Sequence, residues 1–315
     1  MKRLKKMDTC IAVDVGGTKM LIAEVREDGT IVNLLKYPTG KLSKEDILQK
    51  LIHGVSEYEK EIGWESGIRP SRMGIGINGV IDPVKGVWKK HGQDDQELVL
   101  VDQIEQLFQV KCYVDNDVKS TVIAENIYGA GKGCRDMIYI NVGTGLSAGI
   151  ISNGKIVRGT DGFAGEIGFM NFTGGDGVRV ELMASGMGIR YQAEELIGQY
   201  PDSLLNEHVG EYICVQELLD MEKKEDILAK IILNQLVRMN GLMISNLVCV
   251  LSPEVIILGG GLIADKNLLE RITEVVTPKA RAHLEKGIIM TGLDPSYAGL
   301  MGAAAIGFGH QQNYQ

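Results

Sequence analysis

Two glycine–threonine turns, each directly after an apolar strand-like run, constrain the fold of this chain most. The first turn is Gly16-Gly17-Thr18, which follows the run at residues 10–13, and the second is Gly143-Thr144-Gly145, which follows residues 136–141. Both are followed by another strand-like run, and the two copies lie about 130 residues apart. We therefore expect an internally duplicated α/β fold, in which one loop of each half faces a shared cleft.

The glycines in these turns let backbone N–H groups approach an anion closely, because no Cβ stands in the way. In the first turn Thr18 adds a hydroxyl group and Lys19 adds a positive charge. Asp14 ends the preceding strand, where a carboxylate can hold a hydrated Mg²⁺ beside phosphates. On local grounds Gly16-Gly17 fits a β-hairpin turn equally well, because residues 20–25 resemble the next strand.

Further polar or glycine-rich segments follow predicted strands, and α/β sheets place ligand contacts at the carboxyl ends of their strands. The segments are Asn78-Gly79 after residues 72–77, Asp115-Asn116-Asp117 after residues 110–114, and Gly259-Gly260-Gly261 after residues 255–258. On local grounds they also fit, in the same order, a strand exit, a helix N-cap and a tight β–α turn.

Two glutamates are further candidates for substrate contacts. Glu166 lies in the glycine-spaced segment 159–169, which fits either a substrate-facing loop or an irregular connector. Glu181 begins a predicted helix.

Asp117 is the candidate general base, because a carboxylate at a helix start can accept a proton from a substrate hydroxyl. The helix dipole favours the ionised form there. We therefore expect Asp117 to be a ready base and not a buried acid.

The remaining pattern predicts several helices and one irregular segment. Ser43 caps a helix that runs to about Ile62, residues 85–97 are irregular, and residues 227–251 form a long buried helix. Further helices are expected over residues 265–284 and from Gly299 onward.

Size and charge exclude several classes of protein. The 315 residues exceed the usual size of one domain and predict two lobes. The net charge of −8 argues against a nucleic-acid partner, and no run of about 18 apolar residues predicts a membrane span. Five scattered cysteines and five scattered histidines predict neither a disulfide framework nor a metal cluster. These features are typical of a reduced, cytoplasmic protein.

Taken in order, these segments resemble the ROK family of sugar kinases, within the actin/hexokinase-like ATPase superfamily. The resemblance spans roughly residues 10–307. Its motifs are the first phosphate loop at residues 13–19, the sugar loop at 74–82 with Asn78 where proline is usual, the catalytic segment Asn116-Asp117 with Glu125, the second phosphate loop at 142–145, and the adenosine loop at 259–261.

The resemblance implies two ribonuclease-H-like lobes with a nucleotide and a sugar in the cleft between them. We place the lobes at residues 1–117, completed by about 298–315, and at 118–297. The implied activity is glucokinase-like phosphorylation of a hexose or hexose derivative, with ATP and Mg²⁺ as cofactors and a homodimer as the assembly.

The resemblance also assigns roles to individual residues. Asp117 would take the proton of the attacking sugar hydroxyl. The other residues would bind the sugar (Asn78, Gly79, Asn116, Glu166 and Glu181) or the nucleotide and its magnesium ion (Asp14, Gly16, Gly17, Thr18, Lys19, Gly143, Thr144, Gly145, Gly259, Gly260 and Gly261).

The chain departs from the family at a zinc-binding segment. Relatives carry one histidine and three cysteines there, and the corresponding residues here are Phe169, Phe172, Gly174 and Arg179. We therefore predict no structural zinc. The same histidine commonly touches the sugar, and the family's Asn-Leu-x-Trp segment is not evident in residues 85–100, so the choice of sugar stays open.

A sugar-sensing regulator is the main alternative, because part of the family represses transcription. Such regulators carry an N-terminal helix-turn-helix, whereas nine residues precede Cys10 here. A catalytically silent sugar-binding protein is disfavoured by the retained Asp117 and phosphate loops. An actin-like filament protein would not need the Asn116-Asp117 segment.

Overall fold

The computed structural model describes residues 8–40, 42–92, 94–171, 177–208, 210–211, 213–263 and 265–314. The strands are β1 (Thr9–Val15), β2 (Lys19–Arg26), β3 (Ile31–Pro38), β4 (Arg72–Ile77), β5 (Val80–Asp82), β6 (Val87–Lys90), β7 (Leu98–Val99), β8 (Lys111–Asn116), β9 (Met137–Val142), β10 (Leu146–Ser152), β11 (Lys155–Ile156), β12 (Val255–Gly259) and β13 (Ile288–Met290). The α-helices are α1 (Lys44–Glu61), α2 (Val101–Phe108), α3 (Asp117–Ile127), α4 (Glu181–Ala184), α5 (Gly186–Leu196), α6 (Val215–Lys223), α7 (Ile227–Leu251), α8 (Lys266–Val275), α9 (Pro278–Arg281) and α10 (Ala298–Gly307).

The chain divides into two compact units. The first comprises Met1–Gly133, Lys155–Phe163 and Gly292–Gln315, and the second comprises Cys134–Gly154 and Ala164–Thr291. The first unit thus takes in three separate stretches of chain, including the C-terminal helix α10. The lobe boundaries inferred from the sequence stay a prediction.

The first unit is built on a sheet with the order β3-β2-β1-β4-β8. Strands β3, β2 and β1 are antiparallel, whereas β1, β4 and β8 run parallel. Asp14 of β1 lies beside Gly76 of β4, and Gly76 lies beside Asp115 of β8. The carboxyl ends of three parallel strands therefore meet at one edge of this sheet.

Helix α10 packs very closely on this sheet. A Cβ added to Gly74 of β4 would lie 1.9 Å from the carbonyl oxygen of Ala303 in α10. Every residue of α10 except Gly299 is buried. The small residues near the C-terminus thus bring the backbone of α10 against the strand that carries the Asn78-Gly79 loop.

In the second unit, strands lie in the order β10-β9-β12-β13. Strand β9 is antiparallel to β10 and parallel to β12, which is parallel to β13. The strands β2-β1-β4-β8 repeat the same succession of antiparallel, parallel and parallel pairs. The duplication predicted from the two glycine–threonine turns is therefore present in the pairing of both sheets.

Several local predictions are confirmed. Ser43 caps α1, because its side chain accepts a hydrogen bond from the backbone N–H of Asp46. Helix α7 has the predicted bounds, Ile227–Leu251. Of the described residues, α7 is the one helix long and apolar enough to cross a membrane, and 61% of its apolar window is buried inside the protein. Mostly buried, it has the pattern of a core helix of the second unit.

Two local predictions are wrong. Residues 85–97 are not irregular throughout, because β6 pairs with β5 and β7 and buries Trp88 completely. The polar sequence around Trp88 hides this strand, although its partners β5 and β7 are its immediate neighbours along the chain. The helix expected over residues 265–284 is two helices, because α8 ends at Val275 and α9 begins at Pro278.

Candidate active-site residues

In the first unit, the predicted residues gather at the carboxyl edge of the parallel strands. The turn after β1 is closed by a hydrogen bond of 3.0 Å from the Gly16 N–H to the Lys19 carbonyl oxygen. Gly17, Thr18 and Lys19 are exposed, and no atom lies within 4 Å of a Cβ placed on Gly17. This turn therefore has the hairpin geometry and also an open approach for an anion.

Asn116 caps helix α3 and holds the neighbouring loop. Its Oδ1 accepts hydrogen bonds from the N–H groups of Val118 (3.1 Å) and Lys119 (3.0 Å). Its Nδ2 donates to the carbonyl oxygen of Gly79 at 3.2 Å. These hydrogen bonds hold Asp117 at the start of α3 and Gly79 beside Asn116. The neighbouring Asn78 is exposed.

Gly79 occupies a backbone position that other residues rarely adopt. Its φ is +116°, and a Cβ there would lie 2.1 Å from the carbonyl oxygen of Lys90. A side chain at this position would be strained and would clash with backbone. Glycine is therefore required for the close approach of this loop to β6.

Asp117 and Asp14 are electrostatic neighbours in this group. Burial raises the pKa of Asp14 to about 7, with a further increase from the negative charge of Asp117 and an opposing effect of Lys19. Burial also raises the pKa of Asp117, although the backbone N–H of Val118 and the charge of Lys119 oppose this shift. The expectation of a readily ionised Asp117 is therefore corrected: the helix start does favour the carboxylate, but loss of solvent outweighs it.

The structure adds two charged residues to this group that the sequence analysis did not single out, Arg158 and Lys119, and shows what surrounds Glu125. Arg158 forms an ion pair with buried Asp115, and Lys119 donates a hydrogen bond of 3.0 Å from Nζ to the Gly162 carbonyl oxygen. Buried Glu125 accepts hydrogen bonds from the N–H groups of Ala130 and Gly292. The partners of Asp115 and Lys119 lie more than 40 residues away, so spacing alone gave no signal for them.

In the second unit, the loop Gly143-Thr144-Gly145 is tied to the start of helix α5. The Gly143 N–H donates to the Gly145 carbonyl oxygen at 3.0 Å. The first N–H groups of α5, those of Gly186 and Met187, donate to the carbonyl oxygens of Gly143 and Thr144 at 2.9 and 2.8 Å. These bonds fix the loop's conformation and leave the Thr144 side chain exposed.

The Gly259-Gly260-Gly261 loop lies beside this loop. Gly259 is paired with Asn141 in the register of β12 and β9. Gly260 has φ of +90°, and a Cβ there would lie 2.5 Å from the Val142 carbonyl oxygen. A Cβ on Gly261 would meet no atom within 4 Å. The structure thus brings the predicted second phosphate loop and adenosine loop together at one sheet edge.

The two predicted glutamates also belong to the second unit. Glu166 is partly buried and immediately precedes a short 3₁₀ turn, Ile167–Phe169. Glu181 begins α4, and its buried carboxylate pairs with Arg179 at 3.1 Å. Of the positions that correspond to the family's zinc ligands, Phe169 and Arg179 are described, whereas Phe172 and Gly174 lie outside the described residues.

Metal binding depends on how the donor side chains are arranged. Among the described residues, no group of three or more histidine, cysteine, aspartate or glutamate side chains is arranged to hold a metal ion. Asp14 and Asp117 nevertheless form a pair of carboxylates whose pKa values are raised by burial. Such a pair fits Mg²⁺, which binds through one or two carboxylates together with water and substrate phosphates.

The chain is similar to known proteins over most of its length. A sequence model of the ROK family matches residues 10–308. The chain is 26% identical over 313 residues to a glucokinase of Thermotoga maritima, which covers 94% of this chain and 96% of that one. It is also 26% identical over 287 residues to the DNA-binding transcriptional dual regulator NagC of Escherichia coli strain K12. This match covers 86% of this chain and 68% of NagC.

The chain is also similar to a solved structure. That structure is a ROK family glucokinase from Streptomyces griseus in complex with glucose and AMPPNP, with a TM-score of 0.75 and 27% identity, covering 96% of this chain and 99% of that one. The predicted fold class, an α/β protein of the actin-like ATPase type, is confirmed. The roles assigned to individual residues stay predictions.

Proposed function

Since the chain belongs to the ROK family, whose sequence model matches residues 10–308, we propose that it is an ATP-dependent kinase of a hexose or hexose derivative. Asp117 is the general base in this proposal. We further propose that the protein acts in the cytoplasm as a homodimer, without a nucleic-acid partner. Light scattering at micromolar concentration tests the dimer, and a monomeric mass would refute it.

The observation that carries the proposal is the position of Asp117. It begins α3 at the carboxyl edge of β1, β4 and β8, close to Asp14 and next to the Asn116 side chain that holds Gly79. A base for phosphoryl transfer must lie within hydrogen-bond reach of the hydroxyl that attacks the γ-phosphate. A raised pKa makes Asp117 a stronger proton acceptor than an exposed aspartate once it is ionised.

The glycine loops supply the other requirement of phosphoryl transfer, which is alignment and charge neutralisation. Residues 16–19 offer an open backbone, a hydroxyl and a lysine, and the loops at 143–145 and 259–261 lie side by side in the second unit. Asp14, at the end of β1, would hold Mg²⁺ beside residues 16–19, and the ion would supply positive charge beside the phosphates. We propose ATP as the nucleotide, with the sugar contacted by Asn78, Gly79, Asn116, Glu166 and Glu181.

The direct test is ADP release by the purified protein with ATP and Mg²⁺ across hexoses, N-acyl amino sugars and β-glucosides. We expect one sugar class to stimulate ADP release. Asp117→Asn should lower kcat by about 10²–10⁴-fold, while the thermal unfolding temperature should not fall, because the variant no longer carries a carboxylate whose pKa burial raises. A sugar-dependent rate that survives this substitution would remove Asp117 from the proposed role.

A sugar-responsive regulator is the second candidate, because the chain is also 26% identical to the regulator NagC. In that case a sugar would raise the thermal unfolding temperature through binding, yet no sugar would stimulate ADP release. The same protein preparation and sugar panel serve both measurements, so the result separates the two functions directly.

A further inference from the structure

The side chain of Arg179 connects two segments of the second unit. Its Nη1 lies 3.1 Å from Oε1 of Glu181, and its Cζ lies 5.0 Å from the centroid of the Phe169 ring. A guanidinium group can do both at once, because it is planar and stacks on an aromatic face while its edge donates hydrogen bonds.

The main chains of these segments are already adjacent. Asn171 and Arg179 form an antiparallel β-bridge, and the Val180 N–H donates to the Met170 carbonyl oxygen at 2.8 Å. Phe169 therefore comes before the paired residues of the first segment, and Glu181 follows the paired residues of the second segment. Arg179 adds a side-chain link to the backbone link.

The carboxylate of Glu181 has little room to move. Its side chain is 9% exposed, and a Cβ added to Gly168 would lie 3.1 Å from its Oε2. A Cβ on Gly145 would lie 3.7 Å from the same oxygen. The Arg179 contact at Oε1 thus orients a buried carboxylate whose other oxygen points towards the glycine loop of residues 143–145.

These residues do not fit a metal. A protonated guanidinium has no lone pair for a metal ion and repels it, and a phenyl ring is no ligand for zinc. The segment that holds zinc in relatives by resemblance must therefore be held here by other means, and the contacts of Arg179 are of the right kind.

We propose that Arg179, stacked on Phe169, is a positioning residue that takes the place of a metal in this segment and orients Glu181 for the hydroxyl groups of the acceptor sugar. The sugar contact of Glu181 is part of the proposed function, on which this inference rests. The ion pair offsets the negative charge of Glu181 itself.

The test is Arg179→Met, compared with Arg190→Met as the matched control. Arg190 also pairs with a glutamate, Glu194, but both side chains are exposed and the pair lies along α5. We expect Arg179→Met to raise KM for the sugar by about 10- to 100-fold, because a misplaced carboxylate loses charge-assisted hydrogen bonds. The KM for ATP should stay within about twofold, and Arg179→Lys should recover part of the sugar affinity. A sugar KM within about twofold of wild type would overturn the proposal.

Two further readouts do not depend on turnover. In the ligand-free protein, the thermal unfolding temperatures of Phe169→Leu, Arg179→Met and the double variant should be non-additive, because one contact is lost in all three. Additive shifts would overturn the link between these side chains.

Treatment with 1,10-phenanthroline should leave sugar-induced thermal stabilisation unchanged. Loss of this stabilisation would show that a metal is present after all. A wild-type protein that binds no sugar would refute the proposed function, while the ligand-free comparison would still decide whether Arg179 is coupled to Phe169.

Discussion

Arg158 meets Asp115 end-on in the first unit, with Nη1 2.8 Å from Oδ1 and Nη2 2.6 Å from Oδ2. The Asp115 side chain is 1% exposed, and its Oδ1 also accepts a hydrogen bond of 2.8 Å from the Asn116 N–H. A bidentate pair of this kind is strong and directional. It neutralises a buried charge directly before the residue that caps α3, and it ties the stretch Lys155–Phe163 to the sheet of the first unit.

Arg158→Met should destabilise the protein by about 3–5 kcal/mol, because Asp115 would remain buried without its partner. The measurement is unfolding by urea followed by circular dichroism. Arg26→Met is the control, since Arg26 pairs with Glu65 at the surface and such pairs contribute about 0–1 kcal/mol. Equal losses in the two variants would show that the buried pair contributes no more than a surface pair.

The acid limb of the pH–rate profile should report Asp117. Burial raises its pKa above the ordinary value of 3.8, so the base becomes protonated and inactive at a higher pH than an exposed aspartate would. We expect kcat/KM for the sugar to fall as the pH is lowered, with a midpoint above 3.8. A rate that stays constant down to the pH of unfolding would contradict this assignment.

Asp14→Asn should make the ligand-free protein more stable at alkaline pH. The pKa of Asp14 rises from 3.8 to about 7 on folding, so between these values the native state keeps a proton that the unfolded state has released. The free energy of unfolding of the wild type therefore falls as the pH rises through this window. Without nucleotide or Mg²⁺, the variant should unfold at least about 3 °C higher than wild type at pH 8.

The difference should shrink as the pH approaches 4, where the carboxyl group is protonated in both states. Asp28→Asn is the control of opposite sign, because the N–H of Thr30 lowers the pKa of this exposed aspartate. That variant should not gain stability at pH 8. A gap between Asp14→Asn and wild type that is independent of pH would refute the raised pKa.

Two glycine-to-alanine substitutions should separate folding from nucleotide binding. Gly74→Ala places a Cβ 1.9 Å from backbone of α10 and should cost about 3 kcal/mol or more, or prevent folding. Gly17→Ala meets no atom within 4 Å and should leave the unfolding temperature unchanged. It should instead raise KM for ATP, because the new methyl group stands where a phosphate approaches the backbone. An unchanged KM for ATP would remove Gly17 from the predicted phosphate loop.

Much of the fold followed from local sequence signals. Helix α1 begins after Ser43 and helix α7 spans residues 227–251, both as predicted. The repeated strand, glycine turn and strand predicted the duplication that the pairing of the two sheets shows. These features depend on neighbours along the chain, and the chain's own pattern of apolar, capping and turn residues specifies them.

The ionisation of Asp117, the strand β6 and the break before Pro278 were not predicted correctly. Only the first of these needed the tertiary structure, because the pKa of Asp117 is shifted by loss of solvent. Strand β6 lies in a polar stretch between its own partners β5 and β7, and Pro278 is a local helix-start signal, so both were local features that the pattern of apolar residues did not reveal.

The sequence by itself determined the family, the fold class and the set of candidate loops, because periodicity, glycine placement and motif order are properties of the chain. Only the tertiary structure decided that Arg158 pairs with Asp115, that Arg179 joins Phe169 to Glu181, and that burial raises the pKa values of Asp14 and Asp117. The physical reason is that charge pairing and desolvation depend on which groups lie within a few ångströms and how much water they keep. For Arg158 and Asp115, those distances join residues that are 43 positions apart in the chain.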